Sequence, residues 1–144
     1  MVILAAVDRS KRAEAVIEQA RSLARAFGDE IHVVHVLTYS EFTDLEQTNV
    51  ERTGTAIPVD EIRAVAANIA EQTVADTEGT FQFVGLVGHP ADSIVDYAED
   101  HAVRYIVTAG RKRSPAGKAL FGSVAHSIIM NAQSPVVVTI DRED

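Results

Sequence analysis

Residues 2–7 form an unbroken apolar run, Val-Ile-Leu-Ala-Ala-Val, closed by Asp8-Arg9-Ser10. A strand covered on both faces has this form. Ala13, Val16, Ile17, Ala20, Ala24 and Phe27 then recur at three- and four-residue spacing, with Gly28 as a stop, which predicts an amphipathic helix. Residues 31–37 repeat the strand pattern. Residues 38–57 are polar with little periodicity, so a loop of roughly twenty residues is expected, the length at which loops act as lids or binding segments. Pro58 opens a second helix with Val59, Ile62, Val65, Ala66 and Ile69 on one face, running to about residue 76. A third strand spans 81–87 and ends at Gly88-His89-Pro90. Ala91, Ile94, Val95, Ala98 and Ala102 mark a third helix, through about His101. Residues 104–109 make the fourth strand, which Gly110 closes. A basic loop, a helix over 123–131 and a last strand over 136–140 complete the chain.

Strands thus alternate with helices throughout, and no internal repeat or second domain appears. The pattern predicts an α/β fold with one doubly wound domain over residues 1–144 and a parallel sheet covered by helices on both faces. Ligands of such sheets sit beyond the carboxyl ends of the strands, where the strand order reverses. Asp8, the 38–57 segment, Gly88 and Gly110 all lie at such ends.

Composition narrows the function classes. The 144 residues include no cysteine, which removes disulfides, thiolate metal sites and cysteine nucleophiles together. Thirteen Lys and Arg stand against 21 Asp and Glu, a formal net charge of -8, so the overall field opposes nucleic acid and anionic lipid. Neither is expected as a partner. Only Lys11, Lys112 and Lys118 are lysines, in an alanine-rich chain. That balance suits a halophilic cytoplasm as readily as an ordinary acidic protein. The apolar start is too short for a membrane span and has no basic leader, so a cytoplasmic location is expected.

The segment with most chemical content is Gly110-Arg-Lys-Arg-Ser-Pro-Ala-Gly-Lys-Ala-Leu-Phe-Gly122-Ser123. It joins a strand end to a helix start through a loop carrying Arg111, Lys112, Arg113 and Lys118. Glycines admit an anion close to the backbone, and the amides and dipole of the helix N-terminus favour negative charge. These are the parts of a phosphate cradle; equally, Gly110 could only turn the chain and Ser123 only cap the helix. Gly117-Lys118 is followed by Ala119 rather than Ser or Thr, so the segment is not a Walker A loop, and Asp8-Arg9-Ser10 lacks the glycines of a dinucleotide fingerprint. Asp8 could meet a ligand, hold a divalent cation through a nucleotide, accept a phosphoryl group, or share capping of the first helix with Ser10. His32 and His35, three apart on a strand, point to opposite faces and are not a metal pair. Asp92, Asp96 and Asp100 read as a solvated stripe. No Gly-x-Ser-x-Gly elbow is present, and nothing in the spacing requires catalysis.

Four segments together resemble the universal stress protein family across essentially the whole chain. They are Ile3-Leu-Ala-Ala-Val-Asp8-Arg-Ser10, Gly88-His-Pro90-Ala91-Asp-Ser-Ile94, Ile106-Val-Thr-Ala-Gly110, and Gly122-Ser-Val124 running on to Ser134-Pro135-Val-Val-Val138. The resemblance implies a five-stranded sheet of order 3-2-1-4-5, with the ends of strands one and four side by side. Family members that bind ATP carry Gly, two residues, Gly, nine residues, then Gly and Ser or Thr. Gly110, Gly122 and Ser123 match this pattern, whereas Arg113 replaces the middle glycine and the loop is one residue shorter. Carried over, Asp8 would sit by the adenine and ribose or the metal, and Val36 or Leu37 would offer backbone near the base. Gly110, Gly122 and Ser123 would meet phosphates. Arg111, Arg113 and Lys118 are added on charge alone.

The resemblance also implies a homodimer through Val136-Val-Val-Thr-Ile140, an apolar edge that invites pairing. The expectation is a stress-response module that binds ATP, with or without Mg, or a related adenine nucleotide, with slow hydrolysis at most. The alternatives are a nucleotide-free, dimeric protein-interaction module and a small phosphotransfer enzyme on the same sheet.

Overall fold

The computed structural model describes residues 1–74, 77–111 and 122–141. In chain order the elements are β1 (Val2–Ala6), α1 (Ala13–Phe27), β2 (Glu30–Leu37), α2 (Tyr39–Thr53), α3 (Val59–Gln72), β3 (Phe81–Val87), α4 (Pro90–Asp100), β4 (Val103–Arg111), α5 (Ser123–Asn131) and β5 (Val136–Asp141). The strands form one sheet of order β3-β2-β1-β4-β5, and every neighbouring pair is parallel. The chain winds outward from β1 to β3, then returns to place β4 on the other side of β1. The reversal falls between the ends of β1 and β4.

Every residue of β1 is buried, as its unbroken apolar run requires. Side chains alternate across the sheet with period two. Ile3, Ala5 and Val7 meet Val16, Ile17 and Ala20 of α1 and Ala70 of α3 on one face. Val2, Leu4 and Ala6 meet Ile94 and Ala98 of α4 and Ile128 of α5 on the other. Helix α1 buries five of the six positions its periodicity marked and ends at Gly28, whose φ is 70°. Phe27, the sixth, lies at the surface under the Arg104 guanidinium.

Four expectations need correction. The 38–57 segment is largely the helix α2, begun by a Thr38/Glu41 capping box and closed at Gly54. It buries no residue fully and rests on the body through Phe42 and Leu45, packed against Leu37, Ile62 and Ile69. A helix so lightly seated carries no strong apolar stripe. In α3 the buried line is Ile62, Ala66, Ile69 and Ala70, while Val59 and Val65 are exposed. The helix is turned so that Ala66 faces Gly85 of β3, where an added Cβ would lie 1.9 Å from the Arg63 carbonyl oxygen and 2.8 Å from the Ala66 Cβ. Helix α4 stops at Asp100, and Ala102, expected on its apolar face, stands at φ 51° in the turn into β4. Gly110 does not close β4: the strand continues, with Gly110 opposite Ile140 and Arg111 opposite Asp141. Extended partners on β5 keep the ladder going where glycine alone suggested a stop.

Candidate functional site

A cleft of about 350 Å³ opens at the strand reversal. Its floor comes from the ends of β1 (Ala6, Val7, Asp8), β2 (His35, Val36, Thr38) and β4 (Thr108, Ala109). Ala13 and Val16 of α1, Pro90 and Ile94 of α4, and Val124 of α5 supply apolar walls, and Arg9 and Glu41 add charge. The size and the mainly apolar lining with a few convergent polar groups suit a small organic ligand.

The β1–α1 connection is shaped by Asp8. Its Oδ1 accepts the Ser10 amide at 2.8 Å and the Ser10 hydroxyl, and the Ser10 Oγ accepts the Arg12 amide at 3.2 Å. Asp8 thereby orders the turn that leads to α1 and lines the cleft, but the capping expected of Asp8 or Ser10 is not found: the N-cap is Arg12, without a side-chain cap bond, because both side chains are engaged in the turn before it.

At the end of β2, Val36 lines the cleft. Leu37 does not: its side chain is buried against Ile62 and Ala66, and its carbonyl accepts the Gly88 amide at 2.9 Å. The Thr38 hydroxyl accepts the Glu41 amide, while the Thr38 amide and hydroxyl both donate to Glu41 Oε1, all at 3.1 Å. This box fixes a carboxylate at the cleft mouth. His35 is buried, with Nδ1 at 2.9 Å from the Val7 carbonyl oxygen and Nε2 buried without a partner.

On the β4 side, Gly110 is buried in the strand and is absent from the cleft wall. Arg111 carries the ladder one residue further. Gly122 is the N-cap of α5, with, among the described residues, no side-chain cap bond and nothing within 4 Å of an added Cβ. Ser123, the first residue of α5, lines an adjoining open depression of about 320 Å³ with His89 and Asp92. Pro90 and Val124 line both hollows, so the cleft and the α5 N-terminus are neighbours. Arg113 and Lys118 lie outside the described residues. The fold thus brings Asp8 and Val36 together, sets Gly122 and Ser123 beside them, and turns the Leu37 side chain away while its carbonyl meets the Gly88 amide.

Glu41, Thr38, His35 and Thr108 were not singled out from the sequence as site residues. Only the first two had a signal there, the Thr-x-x-Glu spacing of a capping box. His32 and His35 do face opposite sides of the sheet: His32 Nδ1 lies 2.7 Å from the Tyr97 hydroxyl on the α4 side. Among the described residues no cluster of three or more metal-ligating side chains occurs, and no helix is long and apolar enough to cross a membrane.

The family model for the universal stress protein family matches residues 1–139. The structure is similar to a universal stress protein from Archaeoglobus fulgidus at 34% identity, covering 95% of this chain and 96% of that one, with a TM-score of 0.62. It is also similar to a universal stress protein from Archaeoglobus fulgidus in complex with dAMP, at 29% identity, 95% and 94% coverage and a TM-score of 0.57. A universal stress protein in complex with cAMP shares the fold at 16% identity, 96% and 95% coverage and a TM-score of 0.61. No curated protein matches the chain.

Proposed function

The chain belongs to the universal stress protein family, and from that premise we propose that it binds ATP or a related adenine nucleotide in the β1/β4 cleft and acts as a dimeric stress-response module. The observation that carries this reading is the meeting of the apolar cleft with the N-terminus of α5, which has no side-chain cap among the described residues. A flat base needs apolar walls, which Val36, Ile94 and Val124 offer, and phosphates need unpaired amides at a positive dipole end. The 29%-identical relative in complex with dAMP adds support for an adenine ligand.

In this reading Asp8 lies beside the sugar and base, and Gly122 and Ser123 receive phosphate oxygens from backbone amides and the Ser123 hydroxyl. The basic residues Arg111, Arg113 and Lys118 supply charge-assisted contacts where the family has a middle glycine. Magnesium would be held mainly by the nucleotide's own phosphates, with the unshared oxygen of Asp8 as a protein ligand. The role is binding and signalling rather than turnover.

Calorimetric titration of magnesium-ATP, AMP and dAMP into the folded protein tests this, in ordinary buffer and in molar potassium chloride, because salt screens phosphate contacts. Saturation near one nucleotide per chain supports the reading. Absence of heat under both conditions, with folding verified by circular dichroism, replaces it with the nucleotide-free interaction module. The dimer is tested separately by sedimentation: β5 ends the sheet order and carries the exposed Ile140, so a charge there in Ile140→Lys should give monomers. A wild-type protein that sediments as a monomer removes the dimer.

A further inference from the structure

Four helices begin at the cleft, and among the described residues only α2 carries a side-chain cap: α1 and α4 start on the cleft wall, at Ala13 and Pro90, with none. Helix α5 likewise begins at Gly122 with no side-chain cap among the described residues. Helix α2 begins with its own carboxylate folded back on it: Glu41 Oε1 takes the Thr38 amide and hydroxyl, and the Thr38 hydroxyl takes the Glu41 amide. The dipole end of α2 is therefore already neutralised, and two of its donors are already used. A phosphate is therefore disfavoured at the α2 side and suits an uncapped start, of which α5 is the one the nucleotide reading uses.

The polar groups on the α2 side share a second property. Among the described residues, Glu41 Oε2 has no hydrogen-bond partner, and neither does the second oxygen of Asp8. His35 is 6% exposed. Because the Val7 carbonyl can only accept, His35 Nδ1 carries the proton and Nε2 is a buried acceptor with no partner. All three belong to residues lining one cleft, and all three are acceptors. The cation of this wall, Arg9, is exposed at its rim. The buried His35 nitrogen is satisfied by a ligand that brings a donor, while the half-buried Glu41 and exposed Asp8 carboxylates disfavour one that brings further negative charge.

We propose that Glu41 is a specificity-determining residue of the cleft, accepting hydrogen bonds from the ribose hydroxyls of the bound nucleotide and rejecting nucleotides with a second phosphate on the ribose. This rests on the nucleotide reading above and adds the direction in which the ligand lies, with its 5′-phosphates toward α5 and its sugar edge toward α2. The substrate class is nucleoside 5′-phosphates with free ribose hydroxyls; ribose-phosphorylated nucleotides are excluded.

The test compares AMP with adenosine 3′,5′-bisphosphate on the wild-type chain and on Glu41→Gln. Glutamine keeps the reach-back bonds of the capping box but removes the charge and turns the free acceptor into an amide donor, and far-UV circular dichroism checks that α2 persists. The wild type should bind AMP at least about ten-fold tighter than the bisphosphate, the ratio that ~1.4 kcal/mol of like-charge repulsion gives. In Glu41→Gln the preference should fall to within about three-fold, through weaker AMP binding as the ribose acceptor is lost and tighter bisphosphate binding as the charge is lost. AMP binding with equal affinity for the bisphosphate, or an unchanged preference in Glu41→Gln, overturns the role of Glu41 while leaving nucleotide binding intact. Failure of the wild type to bind either nucleotide overturns both.

Discussion

Arg104 Nε lies 2.6 Å from Asp29 Oδ2, and the same guanidinium sits 4.4 Å above the centre of the Phe27 ring. One side chain from the start of β4 thus ties down the end of α1 and the turn into β2. The Asp29 side chain is 3% exposed and also lies 3.4 Å from the Met1 ammonium. The hydrogen bond from Arg104 holds its carboxyl below the ordinary 3.8 against the opposing effect of burial, with the ammonium contact acting the same way as Arg104. A depressed carboxylate adds stability that is fully present above its ordinary value and is lost as pH falls through the folded one. Asp29→Asn should therefore lower the thermal midpoint at neutral pH and flatten its decline below about pH 4. Arg104→Ala should lower the midpoint further, because it leaves a buried carboxylate and uncovers Phe27. Melting curves between pH 7 and 3 check both, and an Asp29→Asn curve parallel to the wild type sinks the assignment.

Gly85 marks where α3 lies hardest against the sheet. Its missing Cβ would stand 1.9 Å from a backbone oxygen of α3 and 2.5 Å from the Ala67 nitrogen, and neither can yield by a rotamer change. Gly85→Ala must push the helix off β3, so it should cost at least the ~1–3 kcal/mol typical of overpacking. Urea denaturation measures this. An unchanged midpoint would mean that α3 is free to slide, contrary to its packing.

The topology was legible because each strand is an apolar run and each major helix has a period near 3.6, and both patterns follow from burial. Residues 38–57 were not legible by that route, since α2 buries no residue and its formation rests on Thr38, Glu41 and Gly54, which are end signals rather than a face. Val65 was misassigned because periodicity fixes a face only to within a residue or two, and contact with Gly85 chose its centre. At the site, Asp8 could be read from its place at a strand end, whereas Val36 or Leu37 came from the family resemblance, and for their backbone. Which of the two side chains lines the cleft follows from the alternation at the end of β2, which sends Val36 and Leu37 to opposite faces. His35 gave no signal at all: a buried histidine on a strand is distinguished only by what its two nitrogens meet.

On the α4 face of β2, His32 packs among titratable neighbours: the Tyr97 hydroxyl at 2.7 Å, Glu30 at 3.6 Å from Nε2, and the His101 ring with its centre 6.3 Å away. Burial lowers its pKa below the ordinary 6.5, outweighing the upward pull of Glu30, with His101 adding to the decrease. When folding depresses a histidine, the unfolded chain takes up the proton first, so stability is full above the ordinary value and falls as pH drops toward the folded one. The wild type should lose thermal stability from about pH 6.5 downward. His32→Asn should be less stable at pH 8 through lost packing yet show a shallower acid slope. A slope identical to the wild type would place the titration on another histidine.

Gly122 offers the sharpest separation of binding from folding. It caps α5 at φ -59°, a conformation open to any residue, and an added Cβ would meet nothing within 4 Å among the described residues. Gly122→Arg should therefore fold with nearly wild-type stability, within about 0.5 kcal/mol as for other unconstrained surface changes. If the space before α5 receives phosphates, however, the arginine side chain fills it and blocks backbone approach, so nucleotide binding should be lost. Ser123→Ala removes one hydroxyl and should weaken binding by a factor of about ten, the effect of one hydrogen bond to a charged group. Thermal melting with and without nucleotide reads both effects at once, since a bound ligand raises the midpoint by mass action. A Gly122→Arg protein that melts normally and is still stabilised by nucleotide would move the phosphates away from α5, and with them the orientation assigned to Glu41.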